Sequence, residues 1–399
     1  MLVRTLLFTL PVAALCAPGP ASSGERRESG KLWIEARDGS LASRSLEGFE
    51  LGASQLAQAV SVRVEGCSEP TPPGEAARRA SVALVGGDRL MAAVRGGDGD
   101  RLELELAGGA QLALDVGELL TLEFRSEGTA AFAAPARGDR LYWVRPAGFD
   151  TLDGTLEGFS AEGVKFDGVL GSRTFPWAEV AALFVEPLED PRSLPERAVL
   201  LDLADGGRIS GGLVRWDSGG LTLALDAQRT LVFPSGAVRE LTTGDGSVAF
   251  LSALEPALVR EGWEEGGDLG LRWPWQRDRS VTGSPLSAGG RVWARGLGVH
   301  APSRLEFELD GTWKSLRGAV AIDDSVRLLA YRGCVEFSIF LDGASEPAWR
   351  SGRVRGGEAP LALPTLALDG KRRLALVVDM DERSFVADRA DWLRMLLVR

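Results

Sequence analysis

The stretch Ser303–Leu309 (SRLEFEL) decides the fold of the second half of the chain, because apolar and charged residues alternate along it. Successive side chains of a β-strand point to opposite faces, so this pattern predicts a strand with one buried face and one exposed face. Apolar residues alternate in the same way along 335–341 (VEFSIFL) and 374–380 (LALVVDM). One-sided alternation is typical of antiparallel sheets that pack face to face. We therefore expect a β-sandwich in this part of the chain.

The sequence before this region predicts short strands rather than helices. Two Pro-rich, charged stretches, 65–79 and 186–197, are interpreted as loops or boundaries, and tryptophan becomes frequent from about Ser247 onward. The expected organisation is all-β. It comprises a signal peptide at 1–23, a β-rich region of degenerate repeats at 31–126, small β units at 140–186 and 198–246, and the sandwich at 248–399.

Two segments of the first half share a pattern. Arg140–Glu186 and Ala198–Thr242 each contain an apolar strand, a Gly/Asp turn, a second hairpin that runs into T-F-P or T-x-x-F-P, and a closing V-x-x-L. Ser81–Phe124 follows the pattern more loosely, and Lys31–Val64 is a candidate fourth copy. About five short strands in a unit of about 45 residues predict a small barrel. The strand–turn–G-x-L pattern resembles Sm-like barrels, and the matching aromatic positions are interpreted as a repeated core.

Composition excludes several classes of function. The 45 basic and 56 acidic residues give a net charge of -11, which argues against a nucleic-acid partner. One histidine, His300, and three cysteines exclude Cys/His zinc sites, and no GxSxG elbow is present. Only four lysines and no asparagine indicate biased codon usage, so we give the arginine richness no functional weight. Carboxylate-only catalysis stays open, with Glu264, Glu265 and Asp268 as candidates.

The first 23 residues predict an exported protein. Arg4 precedes an apolar run from Leu6 to Ala17 that is too short for a transmembrane helix, and small residues follow it. A lipoprotein signal would use Cys16, but Leu15 is larger than the residue usual before such a cysteine. We expect a secreted, periplasmic or cell-surface protein without a transmembrane anchor. Cys67 and Cys334 are expected to be two unrelated thiols rather than a disulfide pair.

Several motifs of the second half together resemble one known family. The run Arg295–Ser303 (RGLGVHAPS) is similar to the signature of the NPCBM family of carbohydrate-binding modules, which occur beside glycoside hydrolase domains. Further similar runs follow in family order, among them 321–324 (AIDD), 333–343 (GCVEFSIFLDG) and 387–392 (ADRADW). The resemblance covers roughly residues 248–399. The glycines of GLGVHA could also indicate a dinucleotide site, but a strand follows them where such a site needs a helix.

The resemblance implies a jelly-roll sandwich related to galactose-binding domains. It implies binding of galactose-containing glycans without catalysis, no cofactor, and in some members a structural calcium. The chain departs from the family at Arg389, where an Asp-His-x-Asp-Trp motif usually carries histidine.

The predicted ligand-binding residues are His300, Asp323, Asp324, Asp388, Arg389 and Trp293. His300 could bond a sugar hydroxyl or satisfy buried backbone groups near Trp392. The carboxylates of Asp323 and Asp324 could bind hydroxyls or a hard cation, or they could be solvated turn residues.

The remaining residues of the predicted set also have two interpretations. Asp388 and Arg389 could hold vicinal hydroxyls or form a surface ion pair. Trp273, Trp275 and Trp293 lie in loop-like segments and are the candidates for stacking on a sugar face, whereas Trp392 is predicted to be core.

Two functions follow from these observations. The first is a secreted, non-catalytic protein that binds a glycan or polysaccharide through its C-terminal sandwich. The second is an exported structural or interaction protein that binds other exported proteins and whose sandwich no longer binds sugar.

Overall fold

The structure is a computed structural model that describes residues 31–52, 56, 59–65, 78–124, 132–187, 193–195, 198–262, 273–380 and 386–399. The predicted signal peptide, Cys16 and Cys67 lie outside these ranges, as do Glu264, Glu265 and Asp268. The described chain is all-β, as predicted, and its helical elements are single 3-10 turns.

Nineteen strands form one continuous sheet in the first half of the described chain. They are β1 (Lys31–Ala36), β2 (Leu41–Ser45), β3 (Glu50–Gly52), β4 (Ala59–Glu65), β5 (Arg79–Leu84), β6 (Arg89–Asp98), β7 (Arg101–Glu105), β8 (Gln111–Asp115), β9 (Leu119–Glu123), β10 (Asp139–Arg145), β11 (Gly148–Phe159), β12 (Gly163–Gly168), β13 (Gly171–Pro176), β14 (Val180–Phe184), β15 (Ala198–Leu203), β16 (Arg208–Asp217), β17 (Gly220–Ala224), β18 (Thr230–Phe233) and β19 (Val238–Thr243).

The strands pair in the same order in three segments, β5–β9, β10–β14 and β15–β19. In each, the first strand pairs with the second and the fifth, and the second, third and fourth pair in succession. A 3-10 turn precedes each fifth strand. The second strand carries a register shift in all three, after Val94, Leu156 and Leu213. Such bulges bend a strand, so that its two ends can pair with strands on opposite sides of a small barrel. That the segments are copies of one sequence unit stays a prediction.

The units join through their last strands. β9 pairs with β14, with Leu122 opposite Leu183, and β4 pairs with β19, with Val62 opposite Leu241. The first segment is shorter than the others: β1 pairs with β2 and β4, while β3 adds to β16. Buried aromatic residues fill the units, including Phe175, Phe233 and Trp216, whose indole N–H donates to Ser235 Oγ at 3.0 Å. This is the aromatic core that the pattern predicted.

The second half contains the remaining fourteen strands of the described chain. They are β20 (Val248–Phe250), β21 (Leu258–Glu261), β22 (Gln276–Arg277), β23 (Leu286–Ala288), β24 (Arg291–Trp293), β25 (Gly296–His300), β26 (Ser303–Glu308), β27 (Ser315–Ile322), β28 (Cys334–Leu341), β29 (Trp349–Arg355), β30 (Leu361–Ala362), β31 (Leu366–Ala367), β32 (Arg373–Met380) and β33 (Arg389–Val398).

Two antiparallel sheets enclose the core of the second half. One has the order β22-β25-β33-β27-β30, with β20 beside β33 and β31 beside β27, and the other has the order β21-β26-β32-β28-β29. β23 and β24 form a separate hairpin. Trp392 is fully buried between the sheets and meets Phe337 edge to face at 4.9 Å between ring centroids. Leu305 and Phe307 are fully buried, whereas Glu308 is exposed, so the predicted alternation is confirmed.

The sandwich packs against the first half through apolar and charged contacts. Val60 of β4 joins Val248, Phe250, Leu396 and Val398 in one buried cluster. Apolar area removed from water at such a contact stabilises the arrangement of the two halves.

Buried charges surround this cluster. Arg394 of β33 forms ion pairs with Glu35 and Glu240 at 2.8 and 2.7 Å, and Arg295 pairs with Asp202 at 3.0 Å. The arginine-rich composition did not single out these arginines, and the structure places them in the contact between the halves.

Candidate functional site

Three neighbouring strands bring predicted site residues to one edge of the sandwich. β25 pairs with β33 so that His300 lies opposite Arg389. β27 pairs with the other side of β33, and the N–H of Asp323, just after β27, donates to the carbonyl oxygen of Arg389 at 2.8 Å. The glycine-rich start of β25 permits close packing, since a Cβ on Gly298 would come within 2.3 Å of the Arg279 carbonyl oxygen. The structure therefore places His300, Arg389 and Asp323 side by side.

An exposed aromatic ring covers this edge. The Trp273 indole stacks on the His300 imidazole, with 5.6 Å between ring centroids and 16° between planes. Trp273 is 37% exposed, which leaves part of its apolar ring surface in contact with water. An exposed indole of this kind offers a flat apolar surface with a polar edge. Trp273 was one of three tryptophans predicted as candidates for stacking on a sugar, but only Trp293 was among the predicted ligand-binding residues.

His300 has a defined hydrogen-bonding state. Its Nδ1 lies 2.9 Å from the carbonyl oxygen of Ala301, which can only accept, so Nδ1 carries the proton. Burial, with the nearby Arg389 charge, lowers the pKa of His300 below its ordinary value of 6.5, although the Ala301 carbonyl opposes this shift. The ring is therefore neutral at pH 7, and its Nε2 is an acceptor.

Arg389 supplies the cation of this edge. Its side chain is half-buried, and its Nη1 donates to Ser325 Oγ at 3.0 Å. A guanidinium has five N–H donors, so this one bond leaves others for a ligand. Donors from Arg389, an acceptor on His300 and the ring surface of Trp273 together can bind a polyhydroxylated molecule that has an apolar face.

Two of the predicted ligand-binding carboxylates have structural partners instead of solvent. Asp323 is 1% exposed; its Oδ2 accepts from the Ser287 N–H at 3.0 Å and its Oδ1 accepts from the Ser325 N–H at 2.9 Å. Asp388 is fully buried, and its Oδ1 accepts from the N–H of Cys334 at 2.9 Å. Both the ligand interpretation and the solvated-turn interpretation placed Asp323 at the surface, and burial contradicts that placement. These carboxylates fix loops beside the edge.

A third carboxyl group, Asp391, is buried next to Asp323. Burial, together with the charges of Asp323 and Asp324, raises the pKa of Asp391 well above its ordinary value. In the described ranges, no group of three or more His, Cys, Asp or Glu residues could hold a metal ion. The calcium that the family resemblance implies for some members stays a prediction.

Asp324 and Trp293 lie beside or within the hairpin of β23 and β24, which Asp323 also contacts through Ser287. Asp324 Oδ2 accepts from the Gly290 N–H at 2.7 Å, at the hairpin turn. The Trp293 indole N–H donates to the Ala288 carbonyl oxygen at 3.3 Å, and the Arg291 guanidinium lies 3.6 Å from its ring centroid. Trp293 therefore packs within this hairpin and takes no part in the Trp273–His300 stack.

The described residues contain neither a membrane-spanning helix nor a disulfide. No helix there is long and apolar enough to cross a membrane. Cys334 is buried, and no disulfide joins it to another described residue. The predicted catalytic carboxylates at 264, 265 and 268 lie outside the described residues.

Comparisons with known proteins identify the second half of the chain. Residues 248–398 match the family model described as the NPCBM/NEW2 domain. The α-1,3-galactosidase B of Akkermansia muciniphila is 38% identical over 121 residues, which are 29% of this chain but only 14% of that enzyme.

Solved carbohydrate-binding modules are also similar to the chain. A CBM51 module of a Clostridium perfringens GH95 protein, solved with methyl-galactose, is 23% identical and has a TM-score of 0.32, covering 38% of this chain and 99% of the module. Tandem CBM51 modules of a Streptococcus pneumoniae family 98 glycoside hydrolase are 15% identical with a TM-score of 0.30, covering 80% and 88%. Residues 248–398 of this chain are an NPCBM/NEW2 domain, similar to carbohydrate-binding modules.

Proposed function

We propose that this is an exported, non-catalytic protein that binds galactose-type glycans through the edge of its sandwich formed by Trp273, His300 and Arg389. The observation that carries the proposal is the exposed Trp273 ring, which stacks on His300, with Arg389 opposite His300 in the β25–β33 pair. One face of galactose is lined by C–H groups and packs on an indole, while its hydroxyls bond to polar groups around the ring.

The sugar class rests on the relatives. A galactosidase shares sequence with this chain, and the domain belongs to a family of carbohydrate-binding modules. Galactose is therefore the first sugar to test. The neutral His300 fits a sugar of any kind, because its Nε2 can accept a hydrogen bond from a hydroxyl.

Binding to a single site is expected to be weak. Each sugar hydroxyl exchanges a water contact for a protein contact, with a net gain of about 0.5–1.5 kcal/mol. Stacking on Trp273 adds a similar amount. Such a site depends on multivalent presentation of the glycan for tight attachment.

A glycan array probed with the full chain, followed by calorimetric titration with methyl galactosides, tests the proposal. Trp273→Ala should weaken binding about tenfold, since losing about 1.4 kcal/mol changes an affinity by that factor. Arg389→Ala should weaken it to a similar extent. Trp275→Ala is the matched control, because that half-buried tryptophan packs against the sandwich core and takes no part in the Trp273–His300 stack.

Two results would contradict the proposal. One is an array with no galactose-containing glycan above background. The other is binding that is equal in the wild type, Trp273→Ala and Arg389→Ala proteins. Release of free sugar from a bound glycan would contradict the non-catalytic part alone.

A further inference from the structure

A cleft of about 380 Å³ lies between the first half of the chain and the sandwich. The first half contributes β1 and β4 to its wall, and the sandwich contributes the hairpin of β23 and β24, β27, β33 and residues 360–365. This volume is within the range of small-molecule sites in proteins. The cleft requires both halves of the chain, and it is separate from the edge formed by Trp273 and His300.

Positive charge is concentrated on the wall of the cleft. Four arginines, Arg63, Arg291, Arg317 and Arg394, line it with a single carboxylate, Glu35. The chain as a whole carries a net charge of -11, so this local excess of cations opposes the general charge of the protein. A cavity lined by one sign of charge attracts ligands of the opposite sign.

Two of these arginines are neutralised within the protein. Glu35 pairs with Arg317 at 3.1 Å and with Arg394 at 2.8 Å. Arg394 also pairs with the buried Glu240 at 2.7 Å. Arg317 donates further to the carbonyl oxygen of Ala36 at 3.1 Å. These contacts fix the guanidinium groups of Arg317 and Arg394 in the wall of the cleft.

The other two arginines have no carboxylate partner in the described part of the chain. Arg63 is half-buried, and its Nε is buried without a hydrogen-bond partner among the described residues. Burial, followed by the charge of Arg394, lowers the pKa of Arg63, although the charges of Glu240 and Glu35 oppose this shift. Burial, followed by the charge of Arg63, likewise lowers the pKa of Arg291. A desolvated cation without a partner is costly, and an anion between Arg63 and Arg291 would offset that cost.

Trp293 orders the Arg291 guanidinium by stacking against it. The Arg291 guanidinium lies 3.6 Å from the Trp293 ring centroid, and the indole itself is fixed by its bond to Ala288. A guanidinium that is already ordered by stacking loses less entropy when a ligand binds.

From this geometry we propose that the cleft is a second binding site, specific for an acidic sugar whose carboxylate lies between Arg63 and Arg291. Arginine binds a carboxylate through parallel, charge-assisted hydrogen bonds. Leu41, Ala288 and Pro360 supply apolar wall for the C–H surface of a sugar ring. The anion part of the proposal stands on the cleft alone, whereas the choice of a sugar rests on the proposed function.

Calorimetric titration of the full chain with D-galacturonate, at low ionic strength, tests this site. Arg63→Gln and Arg291→Gln should each weaken galacturonate binding about tenfold, the factor expected for loss of a charge-assisted bond. Arg44→Gln is the matched control, because Arg44 is an exposed arginine of the same region that does not line the cleft. Raising the salt to 1 M should weaken binding, since screening then acts within about 3 Å.

Further measurements separate this inference from the proposed function. Arg389→Ala should leave unchanged the losses that Arg63→Gln and Arg291→Gln cause in galacturonate binding, and Arg63→Gln should leave methyl galactoside binding unchanged. Arginine-dependent galacturonate binding without galactose binding would overturn the proposed function but support the cleft site. The cleft site is overturned if galacturonate binding is the same in both cleft variants and the wild type, or is lost in Arg389→Ala. Inorganic sulfate that binds as tightly as galacturonate would overturn the assignment to a sugar.

Discussion

Arg394 is the residue whose loss should most weaken the contact between the two halves. It is 6% exposed, and its guanidinium contacts Glu35, Glu240 and Ser61, the last at 2.6 Å to Oγ. In Arg394→Met, Glu35 keeps its pair with Arg317, but Glu240, which is 5% exposed, loses its 2.7 Å partner. Leaving one buried charge uncompensated costs about 3–5 kcal/mol.

Methionine replaces Arg394 because it keeps the apolar stem of the side chain. It also keeps the cost of the left-handed backbone conformation at this position, so the variant tests the charge alone. Arg394 has φ of 51°, a left-handed conformation that costs any non-glycine residue about the same. A change to glycine would relieve that strain and obscure the electrostatic effect. Adding Glu240→Gln to Arg394→Met should restore much of the lost stability, since it removes the buried charge that had no partner.

Urea unfolding, followed by circular dichroism, measures the free energy of unfolding of each variant. The control is Arg101→Met, which breaks an ion pair whose side chains are 70% and 58% exposed, and it should cost less than about 1 kcal/mol. A loss in Arg394→Met no larger than that of the control would refute the reasoning. So would a double variant no more stable than Arg394→Met.

Two further predictions concern buried groups. Burial raises the pKa of the Asp391 carboxyl group well above its value in the unfolded chain, so the free energy of unfolding should fall as pH rises from about 4 through the raised pKa. Asp391→Asn should therefore melt higher than the wild type at pH 8, and this gain should vanish near pH 4 in thermal melts. Trp216→Ala should lower the free energy of unfolding in urea by about 3–5 kcal/mol because the indole is fully buried. Val214→Ala is the control, and it should lower that free energy by less than about 0.5 kcal/mol because Val214 is 51% exposed. Equal losses in the two variants would contradict the assignment of Trp216 to the core.

Periodicity predicted the sandwich because strand alternation directly reports which face is buried. Val335, Phe337, Ile339 and Leu341 were expected on one face, and all four are buried. The same logic placed Trp392 in the core. Family motifs extended the prediction to the limits of the domain, which the family model confirms at 248–398.

The candidate site was less accessible to sequence analysis, because the role of a polar side chain depends on partners that are distant in sequence. Asp323 bonds to Ser287, 36 residues away, so its sequence position alone did not reveal burial. Choosing between Trp273 and Trp293 required knowing which ring meets His300. The sequence did not predict that Arg295 and Arg394 join the two halves, because arginine is common throughout this chain. Only the ion pairs seen in three dimensions distinguish Arg394 from an exposed arginine.

The central claim is that Trp273, His300 and Arg389 together hold a galactose-type sugar. A crystal structure of the full chain soaked with a methyl galactoside tests it most directly. We expect a sugar ring stacked on Trp273, with one hydroxyl within hydrogen-bond distance of His300 Nε2 and another near the Arg389 guanidinium. A bound galactoside at any other surface, with the Trp273 ring left bare, would contradict the account.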